Sequence, residues 1–199
     1  MPAFLAGVVS TVVGLPVLAG RKTLLLLCAC ALRGYGAEMG KKNFSAGLLL
    51  YAFSEGELRV LLVHPGGPYF ERQDAHAWGV PKGELDEGEA PLDAAKREFR
   101  EETGHNAPEE AQFIDLGEIT QPNRKVVRCW AFEGVFDPAG FRCNTCFIEW
   151  PPRSGEQLEI PENDRAELFN LETAQQKIRQ AQWPLVERLA KALEIQAGI

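Results

Sequence analysis

The sequence predicts one α/β domain of two or three layers, and three observations carry that prediction. From Phe44 onward, short apolar runs of β type alternate with amphipathic helical stretches. No repeat period and no low-complexity tract occurs after residue 43. Of the 199 residues, 45% are apolar and 25% charged, which is globular composition with enough apolar side chains for a core. Wholesale disorder, a collagen-like rod and a coiled coil are excluded on these grounds. The formal charge of −7 argues against a general basic face that grips nucleic acid. No stable nucleic-acid partner is therefore expected.

The first forty residues differ from the rest. No charged side chain occurs from Pro2 to Gly20, and Leu24–Leu27 resume the apolar run after Arg21 and Lys22. That approaches the roughly 20 residues of a membrane span. Gly7, Gly14, Pro16 and Gly20 make it a poor one, and the basic region of a secretory signal is missing before it. Two readings stand: a start assigned too far upstream, with Met39 as the true start, or a membrane-directing segment. Residues 1–40 are set apart as an extension and 41–199 as the folded domain. Membrane contact is expected only if the extension is real, and the cytoplasm is the expected compartment.

The elements follow in order. Ala46–Phe53 and Leu58–Val63 read as strands joined by the turn Ser54-Glu55-Gly56-Glu57, and His64-Pro65-Gly66-Gly67-Pro68 forces a loop. A helix is expected after Pro91, which suits a first turn, with Asp93 complementing the helix dipole and Gly104 suiting the residue past the end. Ala90 is a weak cap. Leu92, Ala95, Phe99 and Thr103 fall on one stripe that should face the core. Phe113–Ile119, Lys125–Phe132 and Cys146–Trp150 are further strands. The tail holds two amphipathic helical stretches, Leu171–Arg179 and Leu185–Ile195. The odd count of five cysteines suits reduced thiols better than a secreted disulfide scaffold. Cys143 and Cys146 have the spacing of half a zinc site; with no second hook, they read better as small strand residues.

The chemistry is concentrated between Gly79 and His105. Glu98, Glu101 and Glu102 share one helical arc at spacings i, i+3 and i+4, where like charges repel. Solvation beside Lys96, Arg97 and Arg100 would offset that repulsion, and so would a hard divalent cation, which prefers carboxylate oxygens from a short rigid element. The whole string favours the cation, because the loop Gly83–Glu89 leads directly into the helix and the apolar stripe sets where the acids point.

Here the sequence resembles the Nudix hydrolases. Their signature is Gly, five residues, Glu, seven residues, then Arg-Glu-apolar-any-Glu-Glu-any-Gly-apolar. This chain supplies Gly83, Glu89 and Arg97-Glu98-Phe99-Arg100-Glu101-Glu102-Thr103-Gly104 in register. The one departure is His105, where an apolar residue is usual. The resemblance implies an α/β/α sandwich with a mixed sheet and a loop–helix–loop catalytic motif. It implies that Glu98, Glu101 and Glu102 hold Mg²⁺, with Mn²⁺ as a substitute, and that the carbonyl of Gly83 is a further ligand. Arg97 and Glu89 would orient these carboxylates; the alternative is a surface ion pair of small value.

The implied reaction is metal-dependent attack of water on the pyrophosphate of a nucleoside diphosphate linked to another moiety. Nucleoside triphosphates and dinucleoside polyphosphates lead as substrates. The base is a motif glutamate or an acid from a distant loop. Glu149 is the candidate for the latter, because it interrupts the apolar run Phe147-Ile148-Glu149-Trp150; a salt bridge explains it nearly as well, and Glu118 and Glu133 are rivals. Lys82, Trp78 and Lys125 are candidates for substrate contacts, the lysines for phosphate and the tryptophan for a base. A Nudix-fold module that binds nucleotide without turnover is the alternative function. Oligomeric state is not readable.

Overall fold

A long, largely apolar strand organises the chain, because a central strand can bury both of its faces. In a computed structural model, which describes residues 44–197, this is β1 (Phe44–Ser54). It turns into β2 (Glu57–Pro65), and after a loop come β3 (Lys82–Glu84) and α1 (Pro91–Thr103). Then follow β4 (Ile114–Thr120), β5 (Val126–Glu133), β6 (Thr145–Glu149), β7 (Gln157–Pro161) and β8 (Asn163–Asn170). The chain closes with α2 (Leu171–Lys177), a 3₁₀ turn at Gln180–Gln182 and α3 (Trp183–Ala197). The expectations for the extension, including Met39, Cys28 and Cys30, fall outside the described residues, as does the start of the 41–199 domain.

The main sheet runs β4-β5-β1-β2-β8, with β3 also paired to β1. It is mixed: β1 and β5 are parallel and the other pairs antiparallel. Strands β6 and β7 form a separate two-stranded ribbon. Alternation along β1 sends Leu49 and Tyr51 to one face and Leu48 and Leu50 to the other. On the first face they pack with Trp78, Ile178, Leu185 and Leu189 of the α2–α3 layer. On the second they meet Ala94, Ala95 and Phe99 of α1. The result is an α/β/α sandwich, as the resemblance implied.

Most of the foreseen elements form with ends shifted by a few residues. The sequence reading had no strand at β7 or β8. β7 bonds only to β6 and is five residues long; Leu158 and Ile160 alternate with Gln157 and Glu159, but the run is brief and ends at Pro161, so it does not stand out as a strand. In β8, the buried residues Asn163, Ala166 and Phe169 recur every third position, a spacing closer to a helix than to a strand. α3 begins at Trp183, two residues before the expected start, because Pro184 is tolerated in a first helical turn.

Candidate active site

α1 presents the acids because its other face is fully engaged. Ala94, Ala95, Phe99 and Thr103 are buried, while Leu92 is only partly so. Pro91 starts the helix without a side-chain cap at Ala90, and Gly104 ends it at φ 77°, its N–H donating to the Arg100 carbonyl at 2.8 Å. β3 crosses this helix at close range. A Cβ at residue 83 would occupy the space taken by the Glu98 carboxylate, so any larger residue there displaces that side chain. We therefore expect Gly83→Ala to push Glu98 out of place and lower kcat/KM by about a hundredfold or more. Steady-state kinetics beside a urea melt would check this, and a near-normal rate would show that the close approach is dispensable.

Arg97 ties the loop to the helix. Its Nε and Nη2 donate to the two carboxylate oxygens of Glu89 at 2.9 and 2.8 Å, a bidentate pair in which both side chains are largely shielded. The same guanidinium reaches the Glu84 carbonyl at 2.9 Å, Glu98 at 2.7 Å and Glu101 at 3.4 Å. Arg97 holds Glu89 below the usual carboxylate range, and Glu89 in turn raises Arg97. Glu89 also accepts from the Asp86 N–H at 2.9 Å, which closes the loop on itself. Arg97 thus bonds to four residues at once, Glu84, Glu89, Glu98 and Glu101.

Burial pushes the Glu98 carboxyl up, with Arg97 opposing and the Glu101 charge adding. A fourth acid shares this environment, and the sequence reading missed it. Glu162, in the turn between β7 and β8, is raised first by burial and then by the charges of Glu98 and Glu101. Its placement is built from backbone bonds. The Asn144 N–H donates to the Glu101 carbonyl at 3.1 Å, and the Glu162 N–H donates to the Asn144 carbonyl at 2.9 Å. The Glu162 carbonyl then accepts from Gly66 at 3.0 Å. A splint of residues 142–144 thus lays the β7–β8 turn along the last turn of α1. Pro-Glu-Asn-Asp reads in sequence as an ordinary acidic turn, so no local signal marked it.

The remaining candidates divide. The Lys82 N–H donates to Glu102 at 3.3 Å, and its charge counters both Glu98 and Glu162. Lys125 is buried and directed at Glu84, 3.3 Å away. Trp78 has no exposed surface: it packs on His64 and Phe169 and donates to Asp74 at 2.9 Å, so it is a core residue and does not offer a face to a base. Glu149 is exposed and accepts from the Gly155 N–H within the β6–β7 ribbon at 2.8 Å. A charge there costs little, because the ribbon's side chains are largely in water. Glu118 and Glu133 are exposed on β4 and β5. Among the described residues, Glu162 is the acid outside the motif that the charges of Glu98 and Glu101 raise. His105 packs on Phe136, centroids 4.8 Å apart, and donates from Nδ1 to the Thr103 carbonyl. Cys129, Cys143 and Cys146 form no disulfide; burial pushes the Cys143 thiol up to about 11 and Cys129 higher still.

The comparisons with known proteins agree with this geometry. The NUDIX domain model matches residues 41–189. The chain belongs to the Nudix family. An 8-oxo-(d)GTP phosphatase of Mycolicibacterium smegmatis is 43% identical over 91 residues, 43% of this chain and 27% of that protein. An RNA pyrophosphohydrolase of Bartonella quintana is 63% identical over 30 residues, 15% of this chain and 17% of that protein. The matched stretches thus span well under a third of these Nudix relatives. Among solved structures, a C. elegans Ap4A hydrolase binary complex aligns with TM-score 0.53 and 23% identity, covering 78% of this chain and 99% of that one. A mutT/nudix family protein from Listeria innocua aligns at TM-score 0.51 and 17% identity, covering 79% and 97%. Both share the fold.

Nudix hydrolases generally use divalent metal ions. The donor types here fit such an ion: Glu98, Glu101 and Glu102 offer hard carboxylates from one helix, and the Glu98 carboxylate lies against Gly83. Among the described residues no three such side chains already close on one point. The reason is visible in the bonds, since Glu98 is turned onto Arg97 and Glu102 onto the Lys82 amide. Also among the described residues, no helix is long and apolar enough to cross a membrane.

Proposed function

We propose that this chain is a divalent-cation-dependent pyrophosphohydrolase, cleaving the pyrophosphate of a nucleoside diphosphate linked to another moiety. Nucleoside triphosphates lead as substrates, ahead of dinucleoside polyphosphates. The observation that carries this reading is the placement of Glu162 beside the motif glutamates, where Asn144 bonds to the backbone of both Glu101 and Glu162 and the charges of Glu98 and Glu101 raise the Glu162 carboxyl. The names of the partial relatives, an 8-oxo-(d)GTP phosphatase and an RNA pyrophosphohydrolase, support a phosphoric anhydride as the bond attacked.

Glu98, Glu101 and Glu102 would hold the cation, Mg²⁺ or Mn²⁺, with the Gly83 carbonyl completing the set. When bound, it supplies charge neutralisation at the phosphate oxygens and acidifies a water. Glu162 accepts the proton of the attacking water as its oxygen bonds to phosphorus and the bridging P–O bond breaks. A carboxylate whose proton affinity is raised toward neutral pH suits that role better than an ordinary surface acid. Lys82 stands at the mouth of the site as a point charge for phosphate. The Arg97–Glu89 pair keeps the carboxylates aimed. Cys129, Cys143 and Cys146, which form no disulfide, fit a reducing cytoplasm.

The test uses the whole 199-residue chain. It would be incubated with Mg²⁺ or Mn²⁺ and a panel of nucleoside triphosphates, diadenosine polyphosphates, ADP-ribose and NADH in ¹⁸O-labelled water, with Glu101→Gln as the control. Metal-dependent turnover that the substitution abolishes is the expected result, and the labelled product identifies the phosphorus attacked. Nucleotide binding without turnover of any compound would make the protein a binding module.

A further inference from the structure

His64, near the end of β2, is fully buried, and both of its ring nitrogens are bonded. Nε2 lies 2.6 Å from the Gln73 carbonyl, which can only accept, so Nε2 donates. Nδ1 lies 2.7 Å from Oδ1 of Asp164, and the same oxygen accepts from Arg165 Nε at 3.4 Å. That oxygen is an acceptor for both, so the ring donates from Nδ1 as well. One buried side chain thus ties together the end of β2, the loop that carries Gln73 and the start of β8. The Asp164 carboxylate compensates the polar edge that His64 brings into the interior.

The Asp164 bond falls at an irregular point of the sheet. β2 pairs with β8 at His64↔Arg165 and next at Pro65↔Asn163, so the register steps over Asp164. A bulge of this kind bends the strand and re-aims its neighbours, and here the side-chain bond to His64 fixes the residue that the ladder skips. Glu162 is two residues away, in a turn fitted closely against the end of β2. The Gly66 N–H donates to the Glu162 carbonyl at 3.0 Å, and a Cβ at Gly66 would occupy the Pro161 carbonyl. His64 itself packs on Trp78, ring centroids 5.1 Å apart, on the α2–α3 side of the sheet. It therefore acts on Glu162 through the chain between them and not by contact with the acids of α1.

We propose that His64 is a positioning residue for the hydrolysis: its Nδ1–H holds Asp164 at the bulge, and that bond sets where the Glu162 carboxylate stands beside Glu98 and Glu101. The splint of residues 142–144 holds the turn from one side, and His64 with the end of β2 holds it from the other. A displaced base costs rate and leaves ground-state binding of the substrate intact, so the effect belongs in kcat. This inference rests on the pyrophosphohydrolase reading, since it concerns the base of that same reaction.

The test separates the two bonds of the ring in the full chain. The amide nitrogen of asparagine stands close to where Nδ1 does, and that of glutamine close to Nε2. His64→Asn therefore keeps a donor for Asp164, and His64→Gln keeps one for Gln73. Asp164→Ala removes the acceptor at a partly exposed side chain and covers the case in which a change at the buried ring prevents folding. The substrate is GTP with Mg²⁺, or the compound of the panel turned over fastest. His64→Gln and Asp164→Ala are expected to lose about tenfold in kcat with KM within about twofold, while His64→Asn stays within about threefold of wild type. In a Glu162→Gln background the same changes should cost nothing further, because the group they position is gone. Equal losses for asparagine and glutamine, a normal kcat in Asp164→Ala, or losses undiminished in that background would overturn the inference and leave the hydrolase standing. If nothing is turned over, the hydrolase reading fails separately and amide hydrogen exchange decides. Faster exchange at Gly66 and Glu162 in His64→Gln and Asp164→Ala, but not in His64→Asn, supports the inference; exchange that is unchanged, or raised equally along the chain, sinks it.

Discussion

Glu162→Gln is expected to move stability and activity in opposite directions. In the metal-free protein, burial and the charges of Glu98 and Glu101 raise the Glu162 carboxyl in the folded state. A carboxyl with a raised folded pKa binds more protons in the native than in the unfolded chain, so stability falls as pH rises through that interval and stays reduced above it. Removing the charge should therefore stabilise the metal-free protein at neutral pH by about 0.5–1 kcal/mol. The gain should vanish in acid below the unfolded carboxyl value, where the wild-type group is protonated in both states. Adding Mg²⁺ should reverse the order, because an ion bound only by the native protein stabilises it by mass action and the variant holds it more weakly. Turnover should fall by about 10²–10⁴-fold, the range lost with a general base. Urea melts at two pH values, with and without Mg²⁺, read the first part and steady-state kinetics the second. A variant that is both less stable and fully active would show that Glu162 is a structural acid.

Arg97→Lys should be nearly as damaging, although it conserves charge. The guanidinium satisfies Glu89 twice, Glu84 through its carbonyl, and Glu98 and Glu101 through Nη1. A lysine ammonium is a single point charge that cannot span these directions. Glu98 then loses the Nη1 bond that opposes its burial, and the loop from Glu84 to Glu89 loses its anchor to α1. The expected cost is about 2 kcal/mol of stability and about a hundredfold in kcat/KM from misplaced carboxylates. A double-mutant cycle with Glu89→Gln should show a coupling of about 0.5–3 kcal/mol. A variant within twofold of wild type in rate, with no coupling to Glu89, would mean that the network is only solvated surface.

The two substitutions also mark where the sequence could be read. Arg97, Glu89 and the three glutamates lie within one loop and helix, so spacing alone placed them together: helical geometry turns i, i+3 and i+4 into a single arc. The buried stripe of α1 was legible for the same reason, and so were β1, β2, β4, β5 and the two terminal helices. The looser inferences concern residues whose environment comes from distant chain. Trp78 looked like an aromatic available to a base, yet Asp74, His64 and Phe169 enclose it from three separate segments. Glu149 stood out because its sequence neighbours are apolar, but the ribbon of β6 and β7 leaves them largely in water, with Phe147 63% exposed.

By itself the sequence determined the family, the α/β layering, the helix that carries Glu98, Glu101 and Glu102, and the glycine at 83, because each depends on contacts within a turn or two of chain. Only the tertiary structure decided which distant acid joins them. Glu162 reaches the cluster through the backbone of Asn144, which bonds to Glu101 on one side and to Glu162 on the other. Peptide groups make those bonds whatever side chains they carry, so no residue type announces them.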